Sequence, residues 1–201
     1  MMTRLFDIVV ASLGLLFLFP LLLLFAVLVK LDSPGPVFYR GRRTGRYGVE
    51  FRIFKFRTMV VDAEQVGGTS TAANDFRITP IGGFLRKYKL DELPQLLNVL
   101  KGEMSIVGPR PEVEEYTSCY DDEERIALTV RPGITDYASI CFVNLGEVLG
   151  SEDADRVYVE RVRPIKNQLR VKYVRERSFA GDLKIIALTV FTLVRRRPWS
   201  M

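Results

Sequence analysis

Hydrophobic residues are unevenly distributed along the chain, and the imbalance predicts its first element. From Ile8 to Val29 there is no charged side chain, and only Ser12, Gly14 and Pro20 interrupt the apolar run. Those 22 residues compare with the roughly 20 a helix needs to cross a bilayer core. Three readings compete. A cleaved signal peptide is disfavoured, because the run is too long and no small-x-small cleavage site follows it. A single straight span would leave the basic downstream flank in the cytoplasm. A re-entrant helix broken at Pro20 would keep both ends on one side, as Arg4 before the run and Lys30 after it would suit. The residues alone leave the last two open.

Beyond Asp32-Ser-Pro-Gly-Pro36, a rigid turn, the periodicity changes. Val37-Phe-Tyr39 and Glu50–Arg57 read as strands, the second alternating Phe51 and Ile53 with basic neighbours. Gly41–Gly48 between them is a basic, glycine-rich hairpin or loop. The small, polar stretch Gly67–Asn74 reads as a mobile loop. Thr79-Pro80 has the form of an N-cap followed by proline at the first helical position. That helix would carry Ile81, Phe84, Leu85 and Tyr88 on one face. A second helix is expected to begin at Asp91 as N-cap and to stop at Gly102. Met104–Pro111 reads as a buried strand entering a turn that presents Arg110, and Val130–Thr135 as a turn carrying Arg131. An acidic helix over Glu112–Leu128, with Asp121–Glu124 as a solvated face, is followed by a charged helix over 154–177. Asp182–Val194 forms a last apolar helix, flanked by Arg195, Arg196, Arg197 and Trp199. It is either an interfacial helix with headgroup-level residues or a packing helix with a basic tail.

Composition narrows the chemistry. The chain has 201 residues, a net charge of +5 and no histidine. A Ser-His-Asp triad, a His-paired cysteine and an imidazole zinc site are therefore excluded. Cys119 and Cys141 are too few and too far apart for a disulfide framework or metal cluster. The positive charge suits an anionic leaflet or phosphorylated substrates and is not specific for nucleic acid. Attention falls on Asp91 and Glu92, adjacent carboxylates in Lys89-Leu-Asp-Glu-Leu-Pro-Gln95. In an arbitrary protein such a pair more often caps a helix than catalyses. Here Lys55, Arg57, Arg110 and Arg131 lie on strands or Pro-Gly turns, and Arg86 lies just upstream, as a preorganised anion site requires. Diphosphate chemistry fits this mixture: Arg and Lys neutralise charge, and Mg²⁺ takes one or two carboxylates plus substrate oxygens. A carboxylate can serve as metal ligand, base or nucleophile. No Walker-type loop or Gly-x-Gly-x-x-Gly is present.

The ordered set Lys55-Phe-Arg-Thr-Met59, Leu85-Arg86, Leu90-Asp-Glu-Leu-Pro-Gln-Leu96, Asn98–Gly102, Met104–Pro111 and Arg131-Pro-Gly-Ile-Thr135 resembles the bacterial sugar transferases, the monotopic phosphoglycosyl transferases. The resemblance covers roughly residues 1 to 194. It implies an α/β (α+β, helix-rich) membrane-associated domain, with residues 1–31 as a re-entrant membrane helix broken at Pro20 and 32–201 as a cytoplasmic catalytic domain ending in an interfacial helix. It implies transfer of a sugar-1-phosphate from a UDP-sugar to undecaprenyl phosphate with release of UMP, at the cytoplasmic face of the bacterial inner membrane. Asp91 would be the nucleophile of a covalent phosphosugar intermediate, and Glu92, with Asp91, would hold Mg²⁺. Lys55, Arg57, Arg86, Arg110 and Arg131 would bind substrate phosphate. Membrane lipid is an implied partner, nucleic acid is not, and a homodimer is left open. Three places depart from the family pattern: Phe19 where serine often precedes the proline, Asp136-Tyr-Ala-Ser139 after Thr135, and Arg170 where aspartate is common. From other classes, a catalytically silent scaffold binding polyprenyl phosphate and a Mg²⁺-dependent pyrophosphate hydrolase are the alternatives.

Overall fold

The computed structural model describes residues 2–63, 75–149 and 154–195. The Gly67–Asn74 loop and the tail residues Arg196, Arg197 and Trp199 lie outside the described residues. The apolar run forms one helix, α1 (Met2–Asp32), which continues through Pro20. At 1.5 Å per residue it is about 46 Å long, and it is long and apolar enough to cross a bilayer. It is not a detached anchor. Ala11 is buried with Leu96, Val99, Met104 and Ile106, while Phe25 and Val29 are buried with Phe56 and Leu85. The opposite face is bare: Leu5, Phe17, Phe19 and Leu31 are between 63% and 78% exposed.

Both ends of α1 are fastened to the rest of the molecule. Near the start, Arg4 donates to the carbonyls of Val99 (2.6 Å) and Leu100 (3.0 Å), capping α3 (Leu96–Lys101) with positive charge at its C-terminus. Asp7, 2% exposed, accepts from Ser105 Oγ and the Ile106 amide. At the far end Asp32 accepts from the Ile81 amide at 3.2 Å, at the start of α2 (Pro80–Lys87). Thr79 caps α2 as expected, its hydroxyl accepting from the Gly82 amide at 3.1 Å.

Among the described residues, three two-stranded sheets complete the frame. Antiparallel β1 (Phe38–Tyr39) and β4 (Lys55–Phe56) pair Tyr39 with Lys55, and β2 (Arg42–Thr44) with β3 (Glu50–Arg52) forms the expected basic hairpin. The strand expected over Glu50–Arg57 is interrupted because Phe54 turns its amide to Asn98 Oδ1 at 2.8 Å. β5 (Ser105–Val107) and β6 (Gly133–Thr135) pair in parallel, so the Arg131 turn ends in a strand. Their connecting backbones touch: a Cβ on Gly133 would lie 2.1 Å from the Gly108 nitrogen, so only glycine allows the approach.

The long acidic helix is not formed. A short α4 (Glu114–Thr117) ends, and a 3-10 turn over Glu124–Thr129 follows. Asp121 and Glu124 exchange side-chain–amide bonds (2.7 and 3.3 Å), a capping box that starts a new turn within the presumed solvated face. After α5 (Tyr137–Cys141) and α6 (Leu145–Leu149), α7 (Ala154–Val157) runs through a π-helical turn (Tyr158–Val162) into α8 (Arg163–Arg175). Pro164 lacks the amide a regular α-turn would use there. The last described helix, α9 (Phe179–Arg195), packs Ile185 into the same core as Ala11 and exposes Val190, Phe191 and Val194.

Candidate active site

The carboxylate pair sits on a 3-10 turn, Leu90–Gln95, immediately before α3. Lys89, left-handed at φ 58°, starts that turn, so Asp91 is inside it and is not the N-cap. A six-residue 3-10 turn offers a weak dipole, and burial governs Asp91 instead: only 8% is exposed. Burial, and then the charge of Glu92, push its carboxyl above the usual carboxylate range, against the pull of Lys55, Arg86 and Lys89. The expected N-cap position of Asp91 is therefore taken by Lys89, and burial sets the carboxyl's titration. Asp91 Oδ1 has no hydrogen-bond partner among the described residues.

Glu92 has the opposite environment. Arg110 grips it with both guanidinium nitrogens, Nη1 to Oε2 at 2.9 Å and Nη2 to Oε1, and Lys55 Nζ reaches Oε1 at 3.1 Å. Burial alone would raise its pKa, yet Arg110 and Lys55 outweigh it and hold the group ionised well below the usual range. Lys55 comes from β4; its ammonium is lowered by burial, partly restored by Glu92. Arg110 comes from the Pro-Arg-Pro turn after β5, and its amide donates to Asp136 Oδ2 at 3.0 Å. Asp136 also caps α5, accepting from the Ser139 amide (2.6 Å) and hydroxyl (2.7 Å). One buried carboxylate thus sets the turn that aims Arg110. Arg86, on α2, lies within electrostatic reach of Asp91 and approaches Thr58 Oγ1 at 3.5 Å; burial lowers its pKa.

The structure brings together Asp91, Glu92, Lys55, Arg86 and Arg110, and places two expected phosphate ligands elsewhere. Arg57, 7% exposed, donates to the carbonyls of Val29 (3.3 Å), Ser33 (2.6 Å) and Pro34 (2.7 Å), wrapping the end of α1. A guanidinium so engaged caps a helix. Arg131 donates Nε to the Gly102 carbonyl at 3.0 Å, and its charged neighbours are Arg4, Arg46, Asp7 and Arg177. It belongs to the start of α1, not to the carboxylate pair.

Arg170, the departure from the family pattern, is 1% exposed and pairs with Glu112. Its Nη1 donates to Asn167 Oδ1 (2.8 Å) and the Tyr120 hydroxyl (3.2 Å), while the Tyr158 hydroxyl donates to Glu112 Oε1 at 2.5 Å. A cleft behind the Pro-Arg-Pro turn, lined by Thr44, Glu112, Tyr120 and Arg170, shares Arg110 with the carboxylate site. Sequence reasoning missed Asp7 and treated Asp136 only as a departure. The lone acid beside an apolar run and the Asp-x-x-Ser capping spacing were the available signals.

Among the described residues no three His, Cys, Asp or Glu side chains gather as a ready metal cage. A cation here would rely on one or two carboxylates and substrate oxygens, the donor set Mg²⁺ favours. Asp91 Oδ1 is the free donor, and Glu92 Oε2, which accepts only from Arg110 Nη1, keeps a second lone pair, whereas Oε1 is taken by Arg110 and Lys55.

Comparison with known proteins identifies the family of the chain. The sequence model of the family described as "Bacterial sugar transferase" matches residues 1–196. The chain is 38% identical to the exopolysaccharide production protein ExoY of Rhizobium meliloti (strain 1021), covering 94% of this chain and 84% of that one. It is 41% identical to the UDP-glucose:undecaprenyl-phosphate glucose-1-phosphate transferase of Escherichia coli (strain K12), over 92% of this chain and 38% of the relative. For the UDP-N-acetylgalactosamine-undecaprenyl-phosphate N-acetylgalactosaminephosphotransferase of Aeromonas hydrophila the identity is 43%, over 94% and 42%. The chain therefore spans about two fifths of the length of these two transferases.

Proposed function

Because the chain belongs to the bacterial sugar transferase family, we propose that it transfers a sugar-1-phosphate from a UDP-sugar to undecaprenyl phosphate, releasing UMP, as the membrane step of surface-glycan synthesis. The names of the E. coli and A. hydrophila relatives supply the substrate classes. The observation that carries the reading is Asp91: a buried carboxylate with one oxygen free, beside Glu92 and within the field of Lys55, Arg86 and Lys89.

Asp91 is the nucleophile. Its carboxylate oxygen attacks the sugar-bearing phosphorus, the pyrophosphate P–O bond breaks, and UMP departs with that electron pair. The phosphate oxygen of undecaprenyl phosphate then attacks the same phosphorus, and the Asp91–phosphorus bond breaks to restore the carboxylate. Arg86 and Lys55 face the phosphoryl oxygens as charge develops on them. Arg110, fixed by Glu92 and Asp136, holds the cationic wall at one distance from Asp91. Asp91 and Glu92, together with substrate oxygens, would hold Mg²⁺, which would neutralise charge on the diphosphate. Excess positive charge around the site is what lets Asp91 ionise despite its burial.

The chain acts from the cytoplasmic face, with α1 embedded in the bilayer and both of its ends on that side. Support comes from the clamps at Arg4 and Asp7 and at Asp32, which fasten the two ends to one domain. A transmembrane span would put these clamps on opposite sides of a hydrocarbon core roughly 30 Å thick.

The test is UMP release from a panel of UDP-sugars by wild type and Asp91→Asn with undecaprenyl phosphate present. The variant is expected to lose turnover by about 10³-fold or more and to yield no phosphosugar adduct on the protein. Near-normal turnover by Asp91→Asn would end the covalent mechanism.

A further inference from the structure

We propose that Lys166, on α8, is a substrate-binding residue whose ammonium takes a phosphate oxygen of a bound substrate on the far side of the Pro-Arg-Pro turn from Glu92. The inference rests on the transferase reading above and adds a cation that neither the sequence motifs nor the relatives' names assign.

Lys166 is 6% exposed. Among the described residues its ammonium makes no hydrogen bond and no ion pair. It lies over two aromatic faces, 4.9 Å from the Tyr158 ring centre and 5.8 Å from that of Phe142. Ring faces attract a cation, but they accept no directed bond from its three N–H groups. The stem of Lys166 is buried while its nitrogen keeps solvent access, so an incoming acceptor can reach the N–H groups that the rings leave unpaired.

The acids around it are already engaged. Glu112 pairs with Arg170 and accepts from Tyr158, and Asp136 accepts from the amides of Arg110 and Ser139 and from the Ser139 hydroxyl. Arg110 and Arg170 are its other charged neighbours. Arg110 is held by Glu92 and Arg170 by Glu112. Lys166 is the cation of this group left without a carboxylate, and it stands within electrostatic reach of the arginine that borders Asp91. Burial, opposed by Glu112, lowers its pKa to about 8, so it is still charged at neutral pH. An incoming oxyanion supplies both the acceptor and the countercharge. The two available sources are the diphosphate of the nucleotide sugar and the phosphate of the polyprenyl acceptor.

The experiment uses the full chain in detergent and compares wild type, Lys166→Met and Lys166→Arg by calorimetric titration with inorganic pyrophosphate and, separately, with a short-chain prenyl phosphate. Lys166→Met keeps length and packing and removes the charge. It should weaken one of the two probes by about tenfold or more, Lys166→Arg should restore part of that loss, and the weakened probe identifies the source. Binding of that probe to wild type should also weaken above about pH 8, and this alkaline limb should shrink in Lys166→Met, where Lys55, also lowered by burial, is the remaining lysine at the phosphate site. The neighbours Glu112 and Asp136 are acids, Arg110 and Arg170 stay charged, and burial pushes Tyr158 far upward, so none of them supplies that limb. Both probes binding Lys166→Met within twofold of wild type would overturn the assignment. If the Met variant does not fold, Lys166→Gln serves in its place under the same criteria. A wild type that binds a probe yet releases no UMP from any UDP-sugar would sink the transferase reading, while the binding titrations still decide Lys166.

Discussion

Two carboxylates one residue apart are driven in opposite directions. Glu92 is held ionised by Arg110 and Lys55, while burial and Glu92 itself keep Asp91 above the usual carboxylate range. This has a consequence for pH. A nucleophilic Asp91 must be ionised, so turnover should fall as pH drops through its raised pKa. Glu92→Gln removes the like charge and should move that acid limb to lower pH, while lowering turnover about tenfold or more because Arg110 loses its carboxylate clamp. An acid limb left in place by Glu92→Gln would mean that the two groups are not coupled in the way the geometry indicates. The pair was legible in the sequence because adjacency is local. Its division of roles was not, because Lys55 and Arg110 lie 37 and 18 residues from Glu92 and only folding brings them to it. Lys166 left no trace in the sequence at all: a lysine in a charged helix looks solvated until Phe142 and Tyr158 are seen around it.

Among the elements, the caps were readable and the long-range anchors were not. Thr79 and Gly102 do what their positions suggest, because capping depends on the next few residues only. Arg57 shows the limit. Its place in a conspicuous basic strand suggested phosphate, whereas its guanidinium closes the end of α1 by binding three carbonyls. Arg57→Met should therefore lower stability by about 2–4 kcal/mol in chemical denaturation of the detergent-solubilised protein. The folded fraction should keep its Michaelis constant for the UDP-sugar within about twofold. A large rise in that constant with unchanged stability would return Arg57 to the phosphate site. The acidic helix fails for a local reason: Asp121, Asp122 and Glu123 face solvent as expected, but Asp121 and Glu124 cap each other and start a separate turn.

At the scale of the whole molecule, the helix expected to dip into the membrane is also part of the core. Ala11 and Val29, 18 residues apart, are both nearly inaccessible, and each is covered by a different part of the molecule. Single cysteines at positions 2 and 33 in intact cells, in a background with Cys119 and Cys141 replaced, test the topology. Both should resist a membrane-impermeant thiol reagent added outside and react once the membrane is opened. Labelling of position 2 from outside would mean that α1 crosses. The clamp at Asp7 also bears on how the chain is made. Its acceptors' partners, Ser105 and the Ile106 amide, leave the ribosome 98 and 99 residues after it. At about 5–20 residues per second the wait is roughly 5 to 20 s. For that interval Asp7 is without Ser105 and the Ile106 amide, so α1 reaches its packed form only after the first half of the chain has been made.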